Sequence, residues 1–188
     1  MYELHLFAGA GGGVLAGMLL GHRCIGAVEI DPYCRGVLAV RQADGTLPTF
    51  PVFTDVRTFD ARPYRGRADI VAGGFPCQAF SSASRGRRVA DDLWPEMLRV
   101  VADVAPRYVF AENVSREAID QAADDLESLG YSTRCTALSA ADLGADHIRS
   151  RYWLLAHADD QGELCGGQYA EMAGMPSIRH GVWASEPR

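Results

Sequence analysis

Lysine is missing altogether: all 18 basic residues of this 188-residue chain are arginine. Asparagine occurs once, at Asn113. The five cysteines, Cys24, Cys34, Cys77, Cys135 and Cys165, are odd in number and contain no CxxC pair. That argues against a disulfide framework and against a zinc site, so no metal is expected, and a reducing cytoplasm is the expected setting. No apolar run reaches the ~18 residues needed to cross a bilayer. The N-terminus runs straight into strand-like residues and lacks the shape of a signal peptide. Positive charge is also short: the net charge is −6, whereas nucleic-acid binders usually carry a basic footprint. Distribution matters more than the sum. Arg85, Arg87 and Arg88 cluster, while Asp120, Asp124, Asp125 and Glu127 gather in a later helical stretch.

What is present is ordinary for a globular protein: 48% hydrophobic and 22% charged residues. The length supports one domain with a full core and little room for a second. Strand-length apolar runs alternate with helix-like stretches, the pattern of a mostly parallel α/β sheet. Leu4 to Phe7 reads as a strand and Gly12 to Leu20 as a helix. Cys24 to Glu29 reads as a second strand, and Pro32 to Arg41 as a helix with proline in its first turn. Asp69 to Ala72 forms the next strand, followed by a small, polar and basic segment, Ser81 to Asp91, of the kind that closes over a ligand. Leu93 to Val104 is expected to be helical, and Tyr108 to Ala111 a buried strand ending at Glu112. Ser115 to Leu129 places Ile119, Ala122, Leu126 and Leu129 on one helical face, and Gly130 ends it. Tyr131 to Leu138 and Tyr152 to Ala156 supply two last strands, expected as an antiparallel edge. Residues 1–158 are therefore read as one α/β domain, and 159–188 as an irregular tail without regular core elements.

The chemistry concentrates at strand ends. The run GGFPCQAFS from Gly73 to Ser81 presents Cys77 on a sharp loop behind an apolar strand. Most cysteines are simply small buried hydrophobes; the company of this one points elsewhere. Gly9, Gly11, Gly12 and Gly13 follow the first strand and open a helix, where glycine lets backbone approach a ligand closely. The spacing is not GxGxxG, because Val14 holds the last position. Glu29 ends the second strand, 20 residues after Gly9, where an acid commonly takes ribose hydroxyls. The pair fits an adenosine cofactor and a structural tight turn equally well, and does not separate a nicotinamide dinucleotide from S-adenosylmethionine. Glu112 opens the triplet Glu112-Asn113-Val114, and as a helix N-terminal acid it would equally be favoured by the macrodipole. Arg149 and Arg151 lie two apart on a strand-like run and so share a face.

Phe7-Ala-Gly-Ala-Gly-Gly12, Glu29, Asp55, Phe75-Pro-Cys-Gln78, Glu112-Asn-Val114 and Arg149-Ser-Arg151 resemble, in order and spacing, the DNA (cytosine-5)-methyltransferases, from about Leu4 to Ala156. The resemblance implies an α/β, Rossmann-like S-adenosylmethionine-dependent methyltransferase fold, a mostly parallel sheet with an antiparallel edge. It implies methyl transfer from S-adenosyl-L-methionine to C5 of cytosine in DNA, as in restriction-modification. It makes Cys77 the nucleophile, Glu112 the acid that holds the base, Arg151 a partner of the base carbonyl and Arg149 a prop for the Cys77 loop. It places Phe7, Ala8, Gly9, Gly11, Gly12, Glu29, Ile30, Asp55, Val56, Pro76 and Leu93 around the cofactor. It assigns DNA contacts to Gln78, Ser81, Arg85, Arg87 and Arg88, against a base flipped out of its duplex.

Two positions depart from the family pattern. His5 stands where an acid is usual, and His147 where glutamine is usual. A variable target-recognition region and a final asparagine segment are usual in the family and are not expected in this sequence, since only about 30 residues follow Ala158, too few for a second domain. A minimal enzyme, possession of a partner subunit or homo-oligomeric mate, and a fragment are all compatible with this. Rival readings are a non-catalytic or partner-dependent subunit and an RNA cytosine-5 methyltransferase.

Overall fold

The YELHL segment sends alternate side chains to opposite faces, and four of its five residues are buried. Such two-sided burial marks a central strand of a parallel sheet. In the computed structural model, which describes residues 1–77 and 92–158, this strand, β1 (Tyr2–Leu6), lies between β2 (Arg23–Val28) and β4 (Ile70–Gly74). The sheet is completed by β3 (Val52–Phe53), β5 (Tyr108–Asn113), β6 (Tyr131–Ser139) and β7 (Ser150–Ala158), in the order β3-β2-β1-β4-β5-β7-β6. Pairings from β3 across to β5 are parallel, and β7 runs antiparallel to both β5 and β6. The last two strands form the expected antiparallel edge, with the reversed strand β7 on the inside and β6 outermost.

Leu4, Leu6, Val71, Val109 and Leu154 bury one face under α3 (Trp94–Val104) and α4 (Arg116–Ser128). The other face meets α1 (Gly12–Leu19) and α2 (Pro32–Ala43), with Val14, Cys24, Ala27 and Leu38 in a smaller core. Local signals set the helix starts. Asp31 accepts from the amides of Tyr33 and Cys34 at 2.7 and 3.0 Å, with Pro32 behind it in the first turn. Ser115 caps α4 by accepting from Ala118 N at 3.2 Å. Gly11 precedes α1 at φ +92°, and a Cβ there would come within 2.8 Å of Leu38 Cδ2, so both backbone and packing require glycine.

Beneath α1 lies a charged cluster that the hydrophobic pattern does not announce. Glu3 accepts at one oxygen from His5 Nε2 at 2.8 Å and pairs through the other with His22 Nδ1 at 2.6 Å. Burial opposes ionisation of Glu3, yet the two imidazoles overcome it and hold the carboxyl below its ordinary value. A side chain at Gly17 would collide with this carboxylate, and the His5 ring lies under Gly13. The unusual His5 therefore supports the glycine turn from below. His147, the milder departure, is exposed beside Asp146. Among the described residues no helix is long and apolar enough to cross a membrane.

Candidate active site

Strand β4 ends in two glycines that do different work. A Cβ on Gly73 would sit 2.8 Å from the Leu6 carbonyl oxygen, so glycine lets the ends of β1 and β4 close on each other. A Cβ on Gly74 would sit 2.7 Å from Glu112 Oε2, so its absence leaves room for that carboxylate to lie across the strand end. Phe75 then anchors the turn against Trp94, ring centroids 5.0 Å apart, and the Pro76 carbonyl accepts from Leu93 N at 3.1 Å. Pro76 and Leu93, two of the expected cofactor-wall residues, are thereby tied together.

The Cys77 thiol donates to Asn113 Oδ1 at 2.9 Å, and Asn113 Nδ2 donates to the Phe75 carbonyl at 2.9 Å. Asn113 is 2% exposed. Burial pushes the Cys77 thiol above its ordinary value, and the negative charges of Asp92 and Glu117 act in the same direction. Sequence reasoning passed over Asn113 as a site residue. Its signal was its place as the chain's lone asparagine, immediately after Glu112.

Glu112 occupies the fifth position of β5, four residues ahead of α4, so strand geometry and not a helix terminus positions it. Its register partner on β7 is Trp153, and Arg151 stands two residues along the same face. That register brings Arg151 Nε to 2.7 Å from Glu112 Oε1. Burial raises the Glu112 carboxyl above its ordinary value, with the Arg151 and Arg149 charges pulling back. β7 begins at Ser150, so Arg149 lies just outside it and the two-apart strand argument covers Arg151 alone. Arg149 still acts on Glu112 through its charge.

The glycine turn meets the other end of this arrangement. Phe7 at φ +53°, Gly9 at +54° and Gly11 at +92° hold the chain in left-handed conformation, the first at a cost unusual for a side-chain-bearing residue. Ala8 N donates to Val28 O at 3.1 Å. Glu29, 8% exposed, accepts from Gly9 N at 2.6 Å and from Asp31 N at 2.7 Å. It thus fastens the turn to the end of β2, with one lone pair left on each oxygen. A Cβ on Gly9 or Gly12 would meet nothing within 4 Å, so space stands open before the turn. Ile30 is exposed beside it. Asp55 is forked onto Arg57 at 3.0 Å, and that bond holds its carboxyl below the ordinary value. Val56 is buried, its carbonyl accepting from Arg99 Nη2 at 2.6 Å. A groove of about 580 Å³ walled by Phe53, Phe59 and Tyr64 reaches Asp55 from the β3 edge, away from Cys77. Gln78, Ser81, Arg85, Arg87 and Arg88 lie outside the described residues.

Strand ends of a mostly parallel α/β sheet thus carry a glycine turn fastened by a buried acid, a thiol bonded to Asn113, and an acid–arginine pair. The chain belongs to the C-5 cytosine-specific DNA methylase family, whose model matches residues 1–174. It is 35% identical over 175 residues to a type II methyltransferase, M1.HphI, of Haemophilus parahaemolyticus, covering 83% of this chain and 45% of the relative. It is 31% identical to M.NgoMIV of Neisseria gonorrhoeae, covering 82% of this chain and 51% of the relative. A solved structure described as a DNA modification methyltransferase encoded within an Escherichia coli prophage superposes with a TM-score of 0.68 at 26% identity, over 86% of this chain and 47% of that one. The Dnmt2 methyltransferase of S. pombe shares the fold, with a TM-score of 0.68 at 20% identity, over 96% of this chain and 57% of that one. The chain spans about half the length of the curated relatives it matches.

Proposed function

We propose that this chain carries the catalytic half of an enzyme that methylates C5 of cytosine in DNA, using S-adenosyl-L-methionine and a covalent Cys77 adduct. The observation that carries the reading is one strand-end arrangement: the Cys77 thiol just past β4 bonds Asn113, and the adjoining Glu112 lies half-buried over Gly74 and pairs with Arg151 at 2.7 Å.

C5 of cytosine is a poor nucleophile until the ring is activated. In this reading the Cys77 thiolate forms a bond to C6, and Glu112, whose carboxyl burial holds above its ordinary value, gives a proton to ring N3. The electron pair of the former C5–C6 double bond is then available at C5. Arg151 holds Glu112 in place and faces the base carbonyl oxygen, and Arg149 adds charge from the strand entrance. After C5 is alkylated, its proton leaves to a base, the S–C6 bond breaks to return Cys77 as thiolate, and the N3 proton goes back to Glu112.

The turn fits the cofactor on its own geometry. Open space before Gly9 and Gly12 admits an aminoacyl group, and the spare lone pairs of Glu29 suit two ribose hydroxyls. Phe7, Ala8, Gly11, Ile30, Asp55, Val56, Pro76 and Leu93 complete the proposed pocket, with Asp55 keeping acceptor capacity beside its Arg57 fork. Bound there, S-adenosyl-L-methionine supplies a methyl group on sulfonium, for which activated C5 is the acceptor. The DNA contacts are assigned to Gln78, Ser81, Arg85, Arg87 and Arg88, and the setting to the cytoplasm.

Labelled methyl incorporation into duplex DNA and into tRNA, compared for the purified protein and its Cys77→Ser variant, tests the reading. Incorporation into DNA that needs Cys77 is expected. Incorporation into tRNA alone would transfer the same chemistry to RNA, and Cys77-independent incorporation would refute it.

A further inference from the structure

We propose that Asn113 is a positioning residue for the nucleophile: its side-chain amide parks Cys77 as a neutral thiol, and forming the thiolate requires that contact to open. The inference rests on the reading of Cys77 as the attacking group. It goes beyond that reading in stating what holds the sulfur before the base arrives.

The argument begins with the orientation of the amide. Asn113 Nδ2 donates to the Phe75 carbonyl at 2.9 Å, and Asn113 Oδ1 accepts from Ser115 N at 3.0 Å. Turning the amide over would set its NH2 against the Ser115 N–H and its oxygen against the Phe75 oxygen. Two buried hydrogen bonds would become two like contacts. The oxygen therefore faces Cys77, where an oxygen only accepts. The sulfur at 2.9 Å must supply the proton, so this contact belongs to the thiol and opposes the thiolate.

Two nearby carboxylates act the same way. Asp92 stands ahead of α3 and Glu117 lies in the first turn of α4, and both place negative charge toward the sulfur. Glu117 is itself held by Ser115 Oγ at 2.7 Å and Asp92 by Trp94 N at 3.1 Å, so neither charge is free to swing away through those bonds. One side chain thus grips the loop on both sides of Pro76: the Phe75 carbonyl before it and the Cys77 thiol after it. Opening of the Asn113 contact and ionisation of the nucleophile become one event, which keeps a reactive thiolate from standing unused.

The test reads the thiol directly and needs no DNA. Iodoacetamide modification of Cys77 is followed against pH by peptide-resolved mass spectrometry in the folded protein, in Asn113→Ala and in Asn113→Asp. Removing the acceptor should lower the midpoint, and alkylation at neutral pH should quicken about three- to fourfold for every pH unit by which the midpoint falls, since the thiolate grows commoner but less nucleophilic. Asn113→Asp should raise the midpoint, since a further carboxylate then faces the sulfur. A merely structural role loosens the loop in both variants and moves the two midpoints together, and that outcome, or no movement, overturns the proposal. Should either variant fail to fold, the infrared S–H stretch of the wild-type protein, assigned by subtracting Cys77→Ser, decides. A hydrogen-bonded S–H band at neutral pH is expected, and its absence overturns the proposal. If Cys77→Ser still methylates, the functional reading fails; if the midpoints do not separate while Cys77 forms its adduct, only the role of Asn113 fails.

Discussion

Replacing Gly74 by alanine places a methyl carbon 2.7 Å from Glu112 Oε2, closer than side-chain carbons and oxygens pack. The atom it meets is the end of a flexible side chain, so the strand keeps its place and the carboxylate moves instead. In a strand, alanine is favoured over glycine by about 0.5–1 kcal/mol. Displacing Glu112 from Arg151 forfeits a charged hydrogen bond worth about 1.5–3 kcal/mol in a partly buried site. The net change in stability is then about 1–2 kcal/mol, a few degrees in melting temperature for a domain of this size. Catalysis should suffer far more. A positioned acid contributes about 100- to 10,000-fold, so kcat/KM should fall at least about 100-fold, or about 2.7 kcal/mol in the barrier. Thermal melts, cofactor titration and methyl-transfer kinetics on Gly74→Ala, Glu112→Gln and the double variant separate these effects. Cofactor affinity should hold, and the double variant should be no worse than Glu112→Gln, since both changes remove one interaction. Activity within threefold of wild type (about 0.7 kcal/mol) in a stably folded Gly74→Ala protein would refute the claim that Glu112 acts from above Gly74.

Glu29→Ala should weaken S-adenosyl-L-methionine binding by more than about tenfold and cost about 1–3 kcal/mol of stability, because the Gly9 and Asp31 amides lose their acceptor. Calorimetric titration and thermal melts check both. Glu3 is held below the ordinary 4.5 in the folded protein, so its contribution is complete above that value and is lost as pH falls through the lower folded value. Denaturation free energy measured against pH should decline on that acid limb, and Glu3→Gln should flatten it. An unchanged acid slope in Glu3→Gln would contradict the role of the His5–Glu3–His22 cluster.

Much of this arrangement is legible in the chain because each part is a local rule. Glycines mark the left-handed turn at Gly9 and Gly11, Asp31-Pro32 starts α2, and apolar runs bounded by turns mark β1, β2, β4 and β5. The resemblance carried by Pro76-Cys77-Gln78 and Glu112-Asn113-Val114 led to the family, which the comparisons show. The strand β3 escaped notice since two residues beside Pro51 give no periodicity to read. The insertion of β7 between β5 and β6 was also hidden, as an apolar strand pattern says which residues are buried and not which strand lies alongside. The acid 20 residues after Gly9 was visible, but not that two backbone amides already hold it. Asn113 shows its part only in three dimensions, where one amide meets a carbonyl, an N–H and a thiol together. The second glycine of Gly73-Gly74 likewise gains its meaning from Glu112, 38 residues later and one strand across.

The central claim, that Cys77 attacks a cytosine, is tested most directly by trapping the attack. Duplex DNA carrying 5-fluorocytosine at target positions, incubated with the protein and S-adenosyl-L-methionine, cannot release its C5 substituent as a proton, so the adduct persists. The account predicts a covalent complex whose cross-linked peptide maps to Cys77 and which Cys77→Ser does not form. A cross-link mapped to another residue, or methyl transfer by Cys77→Ser at the wild-type rate, would contradict it.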